Sequence, residues 1–189
     1  LSALYGTDAL TLSDTAYVAP SEPDDPDPNE ELSLEDAQVV LAQDSYVYDG
    51  EAKRPEVTVS YGGEILVANT DYEVTYPDDC VNAGDYEVVV SGKGSYSGVY
   101  STTFKITALN ISTSNASAVI PSFRWQYTGS AIKPALTLSY KDGTVIPSTQ
   151  YTLTYTNNTA VGMATITVKP KTSNLTSTRT RTFVIMPAR

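Results

Sequence analysis

The sequence predicts an all-β protein made of two tandem antiparallel β-sandwich domains, and three observations carry this prediction. Residues 48–76 return at an offset of 79 residues as 127–155, with 11 of 29 positions identical. A gap-free match of this length indicates two copies of one structural unit. Tyr, Thr, Val and Ser are abundant, which is typical of strands. No stretch shows helical periodicity over the eleven or more residues that a helix requires.

The repeat divides the 189 residues into three parts. Residues 1–31 form an acidic, proline-rich linker or N-terminal extension, residues 32–108 the first repeat and residues 109–189 the second. Prolines recur every two or three residues in 20–28, and acidic residues surround them. Since proline fixes φ and removes a backbone donor, we expect an extended, solvated chain there. These prolines also oppose wrapping around a calcium ion, and calcium-ligand spacing is absent.

In the first repeat, short runs of alternating residues are separated by turn residues. Asp49-Gly50 and Gly62-Gly63 are turn signals, the second of them typical of a hairpin. Period-two alternation over segments of this length indicates half-buried strands. About seven strands are predicted, near residues 37–42, 46–48, 57–61, 65–67, 72–76, 86–90 and 104–106.

The second repeat follows the same order. Its hairpin turn is Lys141-Asp142-Gly143, and its predicted strands lie near residues 118–120, 125–127, 136–140, 151–155, 166–168 and 183–185. It departs from the first repeat at 169–178, which lacks the glycines of 92–98. Short strands at regular spacing, bounded by turn residues, favour an antiparallel sandwich.

Six of the fourteen tyrosines fall on the inward parity of the predicted strands: Tyr61, Tyr72, Tyr76, Tyr140, Tyr151 and Tyr155. We therefore expect them to pack in the core or at its rim. Residues 82–86, with Tyr86 after a turn, have the arrangement of a tyrosine corner, in which the phenol bonds back to the backbone. The second repeat has Ala164 in place of this tyrosine. The corner favours an immunoglobulin-like sandwich.

Charge differs sharply along the chain. The net charge is −8 over residues 1–31, −9 over 32–108 and +7 over 109–189. This difference is either drift between solvated surfaces or complementarity between neighbouring domains or molecules, which would steer association and weaken with salt. No nucleic-acid partner is expected, because the overall charge is −10 and the basic residues are not clustered with aromatics.

Five motifs follow a known pattern: Tyr-x-Tyr-Asp-Gly at 46–50, Asp-Tyr-x-Val-x-Tyr at 71–76, Asn-Ala-Gly-x-Tyr at 82–86, Gly-x-Tyr-Ser-Gly at 94–98 and Thr-Phe-x-Ile at 103–106 and 182–185. Together they resemble the bacterial immunoglobulin-like repeats of large secreted and cell-surface proteins. The resemblance covers both repeats and leaves 1–30 outside. It implies two tandem immunoglobulin-like domains, a spacer or adhesion role and an extracellular or cell-surface location. It brings no catalytic residues.

No catalytic, cofactor or metal site is predicted. The chain has no His, the commonest general base and metal ligand. Its carboxylate pairs are consecutive loop residues, whereas a glycosidase pair flanks a bond from opposite sides. The lone Cys80 lies in a polar stretch without basic neighbours, so we expect an unreactive loop or strand-edge cysteine.

Carbohydrate binding is the alternative that the aromatic residues raise. Tyr96 and Tyr100 lie in or beside the glycine-rich bend, and Trp125 opens the second repeat. If their rings are exposed, they could stack on sugars, which would make the chain an accessory module of a secreted glycosidase. A charge-complementary assembly module is a third possibility.

The preferred prediction is a non-catalytic stalk, spacer or adhesion segment of a larger extracellular or cell-wall bacterial protein. Its partners would be neighbouring domains, and host or cell-wall glycans or proteins. No hydrophobic run is long enough to cross a bilayer, so no membrane insertion is expected. The chain begins at Leu1 without a Met, which suggests a fragment. Because 107–111 lacks Gly and Pro, restricted interdomain motion and an elongated rod are expected.

Overall fold

The computed structural model describes residues 31–188, and β-strands dominate this range. The helical segments within it are two three-residue 3-10 turns, Leu34–Asp36 and Ser148–Gln150. The prediction of an all-β protein is confirmed. The predicted linker, apart from Glu31, lies outside the described residues.

Strands of the first half, residues 31–108, are β1 (Leu32–Ser33), β2 (Gln38–Leu41), β3 (Ser45–Val47), β4 (Val57–Tyr61), β5 (Glu64–Ile65), β6 (Tyr72–Thr75), β7 (Gly84–Gly92), β8 (Tyr96–Ser97) and β9 (Val99–Thr107). Strands of the second half, residues 109–188, are β10 (Leu109–Asn110), β11 (Ala116–Val119), β12 (Arg124–Gln126), β13 (Thr137–Tyr140), β14 (Tyr151–Thr156), β15 (Gly162–Pro170), β16 (Leu175–Thr176) and β17 (Arg179–Met186).

The two halves build their sheets in the same order. Each has a four-stranded sheet, β3-β9-β7-β6 in the first half and β12-β17-β15-β14 in the second. In each sheet the first pair is parallel and the others are antiparallel. The three-stranded sheet β2-β4-β5 corresponds to β11-β13, where a bridge between Ser139 and Val145 replaces the pairing with β5. Parallel pairs β1-β8 and β10-β16 complete the correspondence.

Strand register matches individual positions between the halves. Tyr46 pairs with Ile106 as Trp125 pairs with Ile185, and Leu32 pairs with Tyr96 as Leu109 pairs with Leu175. Equivalent positions therefore differ by 79 residues in most strands. The offset is 78 in β7, where Gly84 and Gly162 occupy the same place, and 77 in β1.

Alternation along the strands places apolar side chains in the core, as the sequence predicts. Phe104 and Ile106 in the first half, and Phe183 and Ile185 in the second, are almost fully buried. Among the tyrosines predicted to point inward, Tyr72, Tyr140 and Tyr151 are buried, and Tyr61, Tyr76 and Tyr155 are half-buried against the core.

Two hydrogen bonds explain why a proline and a tyrosine recur in the repeat. The Tyr76 hydroxyl donates to the carbonyl oxygen of Pro55. The Tyr155 hydroxyl makes the equivalent bond to Pro134, at 2.7 Å. Each bond ties the end of one sheet to the segment that enters the other, so the recurring residues serve folding.

The predicted hydrogen bond of the tyrosine corner is present in the first half. Tyr86 Oη donates to the carbonyl oxygen of Asn82 at 2.7 Å, and its ring stacks on Phe104 with centroids 5.3 Å apart. In the second half the fully buried Ala164 takes the place of this ring.

The structure differs from the sequence predictions in its shortest strands and at Cys80. The strands β1 and β8 were not predicted, because two residues are too few to show a period, and β8 lies inside the glycine-rich bend. Cys80 lies in a loop as predicted, but it is buried, and its Sγ donates to the Pro77 carbonyl oxygen. Burial raises the pKa of its thiol.

Candidate functional site

The three aromatic residues suggested for ligand binding are all half-buried and lie in different sheets. Tyr96 is in β8, Tyr100 in β9 and Trp125 in β12, and each packs against the core. Tyr96 meets the ring of Tyr61 edge-on, with centroids 5.8 Å apart. Trp125 Nε1 donates to the Ser122 carbonyl oxygen at 3.0 Å. Much of each side chain is thus engaged within the protein.

The most extensively built polar site is the junction between the two halves. The strands β9 and β10 are separated by a single residue, Ala108. Leu109 and Ile111 follow and are buried, and the Leu109 amide donates to the Asn174 carbonyl oxygen at 2.8 Å. The chain therefore enters the core of the second half immediately after it leaves the first.

A tyrosine pair and a glutamine join the halves on one side of the junction. Tyr48, directly after β3, is buried against Tyr140 of β13, with ring centroids 6.2 Å apart. Gln150 Nε2 donates to Tyr48 Oη at 2.8 Å. Tyr48 thus has partners on two elements of the opposite half.

An asparagine pair joins the halves on the other side. Asn174, in the loop before β16, is buried, and its Nδ2 donates to Asn82 Oδ1 at 2.8 Å. Its Oδ1 accepts a hydrogen bond from the Ala83 amide, also at 2.8 Å. Both ends of one side-chain amide are therefore held by the loop that precedes β7.

An open cleft of about 380 Å³ lies at this junction. Val47 and Leu109 supply apolar surface, and Asp49, Lys141 and Asp142 supply charge. Asp49 Oδ2 accepts a hydrogen bond from Lys53 Nζ at 2.5 Å. The lining of the cleft is therefore part apolar and part charged, and the Asp49 carboxylate is already paired with Lys53.

Burial and hydrogen bonding shift two pKa values at the cleft. Partial burial alone would raise the pKa of Asp49, but hydrogen bonds from Lys53 and the Glu51 amide outweigh it, so this pKa lies below its usual range. The pKa of Tyr140 is raised well above its usual value, first by burial and then by the neighbouring Tyr48 hydroxyl and the nearby carboxylates of Asp49 and Asp142. Tyr140 therefore stays neutral as a hydrogen-bonding group.

Two arginines of β17 brace the start of the second half. Arg179 Nη1 donates to the carbonyl oxygens of Ile111 and Thr113, both at 2.8 Å. Arg181 Nε donates to the Ala118 carbonyl oxygen at 2.6 Å. Burial and the charge of Arg181 lower the pKa of Arg179. These contacts hold the segment that follows the junction.

Sequence reasoning identified the short connection but missed the residues that clamp it. Tyr48 and Tyr127 look alike in the repeat, and nothing in the pattern shows which one is covered. One sequence difference between the repeats could have pointed to the junction, because Asn174 occupies the position that Ser95 occupies in the first half. A side-chain amide differs from a hydroxyl in placing its donor and its acceptor on two separate atoms, so it can bond to two groups at once.

Within residues 31–188, no three His, Cys, Asp or Glu side chains are grouped so that they could hold a metal ion. None of the helical segments in that range is long and apolar enough to span a bilayer. Comparison with protein-family models gives no match, and comparison with curated protein sequences gives none either.

Proposed function

We propose that this chain is a non-catalytic spacer or adhesion segment of an extracellular or cell-wall bacterial protein. It consists of two immunoglobulin-like β-sandwich domains, residues 32–108 and 109–189, held in a fixed relative orientation. The observation that carries the proposal is the junction, where one residue separates the domains and buried side chains bond across the boundary.

The junction supports a fixed orientation because a hinge needs backbone that is free to change φ and ψ. Here β9 is paired within its own sheet, and β10 begins one residue later and is paired with β16. Tyr48 and Asn174 bond across the boundary on separate elements, so bending in either direction breaks part-buried hydrogen bonds. Each such bond contributes about 1 kcal/mol, and more where its loss leaves a buried group unpaired.

The matching strand orders and the bond from Tyr86 to Asn82 support immunoglobulin-like sandwiches. The resemblance to bacterial cell-surface repeats supports the extracellular location. A spacer needs domains of the same fold that are connected by very few residues. The two halves have matching strand orders, and one residue separates β9 from β10. We expect the pair to form an elongated rod.

Nuclear magnetic resonance of the full chain tests the fixed orientation. Residual dipolar couplings from the two domains should fit one alignment tensor, and small-angle scattering should give a single extended conformation. Tyr48→Ala should loosen the junction so that two tensors are needed. Tyr127→Ala, the equivalent change in the second domain, should leave the single tensor intact. Two independent tensors in the unchanged protein would contradict the proposal.

The extracellular location needs a separate measurement. Antibodies against the chain should label intact, unpermeabilised cells of the organism that produces it, or detect it in the culture medium. Labelling that appears only after the cells are opened would rule out a surface role.

A further inference from the structure

The end of the second half exposes a tyrosine and a valine whose equivalents in the first half are buried and half-buried. We name Tyr127, Ala160 and Val161 the distal face; they are equivalent to Tyr48, Asn82 and Ala83, the residues of the first half that contact the second. Tyr48 is 4% exposed, whereas Tyr127 is 37% exposed, and Val161 is also exposed. The distal face is thus the counterpart of a docking surface, and within residues 31–188 it is left exposed.

The beginning of the first half shows the complementary pattern. In the internal junction Tyr48 contacts Tyr140 and Gln150, and Leu109 is buried beside them. We name their equivalents Tyr61, Asp71 and Leu32 the proximal face. Leu109 is 2% exposed, whereas Leu32 is 40% exposed. Each half therefore has both surfaces of the junction, and one of each is used inside the chain.

We infer that the distal face of one molecule binds the proximal face of a second copy, head to tail, in the geometry of the internal junction. Such a contact uses two different surfaces and leaves one of each free at the ends. It therefore builds open chains of molecules rather than closed dimers.

Charge favours a second copy as the occupant. The first half, which carries the proximal face, has a net charge of −9, and the second half has +7. Asp36 and Asp71 lie at the proximal end, at the places of Asn115 and Gln150 in the internal junction. Opposite net charges accelerate encounter and orient the partners, an effect that salt screens.

Hydrogen-bond chemistry is also complementary at the tyrosine. In the internal junction Gln150 Nε2 donates to Tyr48 Oη. At the equivalent positions, the Tyr127 hydroxyl can donate to the Asp71 carboxylate, which only accepts. Ser95 and Ala160 lack the side-chain amides of Asn174 and Asn82. The contact between molecules therefore has fewer hydrogen bonds than the internal junction, and it is reversible.

Sedimentation of the full chain tests the inference. At 20 mM salt the weight-average mass should rise with protein concentration towards about 1 mM, the range of weak protein contacts. At 500 mM salt the association should weaken at least tenfold. Val161→Glu and Leu32→Glu each place an acidic group in the contact and should remove association. Val40→Glu, an exposed position in β2, is the matched control and should associate like the unchanged protein.

A mixing experiment tests the direction of the contact. The Val161→Glu variant keeps an intact proximal face, and the Leu32→Glu variant keeps an intact distal face. An equimolar mixture should therefore form dimers but no longer chains. A salt-independent monomer of the unchanged protein up to 1 mM, an unaffected Val161→Glu variant, or a mixture that stays monomeric would each overturn the inference.

Discussion

At the scale of single residues, two equivalent glycines of the repeat lie in different surroundings. Gly50 and Gly129 occupy equivalent turns with φ of +86° and +81°, in the left-handed region that favours glycine. A Cβ atom at Gly50 would lie 3.0 Å from Tyr140 Oη, whereas a Cβ at Gly129 would have nothing within 4 Å. The left-handed turn is common to both repeats, whereas the close approach of Gly50 to Tyr140 occurs only at the junction.

Alanine at these two glycines should therefore separate the cost of the turn from the cost of the contact. Gly129→Ala should lower the free energy of unfolding by about 1–2 kcal/mol, the cost of a left-handed L-residue. Gly50→Ala should cost about 1–3 kcal/mol more, because its methyl group displaces Tyr140. Urea unfolding measures both, and equal losses would mean that the Tyr140 contact is relaxed without cost.

At the scale of elements, the connection between the two long hairpin strands differs most between the halves. In the first half it contains two glycines and Ser95, and in the second half it contains Asn174. Both connections carry a short strand that pairs in parallel with the first strand of their half. Only the connection of the second half meets the other half, through the amide of Asn174.

Asn174→Ala should open one side of the junction without unfolding either half. The change leaves the Ala83 amide without its acceptor, so this amide should exchange with deuterium at least tenfold faster, and the free energy of unfolding should fall by about 1–3 kcal/mol. Ser95→Ala, the equivalent change in the first half, is the control and should leave both values unchanged. Unchanged protection of Ala83 in the Asn174 variant would show that other groups hold the loop.

The sequence was sufficient to predict the long strands but not the contacts between the two halves, and the reasons are physical. Period-two alternation located the long strands and the inward tyrosines, because burial on one face imposes that pattern. The two-residue strands β1 and β8 are too short to show it. The bond of Tyr86 was predictable because it is local, within four residues. The contact of Asn82 with Asn174 joins residues 92 positions apart. The departure between the repeats marks Asn174 as unusual, but a single sequence does not show which distant residue it contacts.

At the scale of the whole molecule, both halves are stabilised by buried or half-buried tyrosines that are neutral. Tyr72, Tyr76, Tyr86, Tyr140 and Tyr155 all have raised pKa values, in each case chiefly because of burial. The hydroxyls of Tyr72, Tyr76, Tyr86 and Tyr155 donate to backbone carbonyl oxygens. Ionisation of these groups is therefore opposed by folding.

Stability should accordingly fall in alkali. A tyrosine whose pKa is raised in the folded state favours folding fully below its unfolded pKa of about 10, and the stabilisation is lost as pH rises from there towards the folded pKa. Urea unfolding between pH 9 and 12 should show this loss. Tyr140→Phe should reduce the slope, since it removes the most strongly shifted group. A stability independent of pH above 10 would contradict these shifts.

The parallel pairing of early and final strands affects how the molecule responds to tension. In each half an early strand, β3 or β12, runs parallel to the final strand, β9 or β17. Pulling the two ends of a half apart slides these strands past each other, so their evenly spaced hydrogen bonds are loaded together rather than unzipped one by one. With only Ala108 between β9 and β10, the load passes from one half to the next without slack. The fold thus resists stretching along the direction in which its halves are joined.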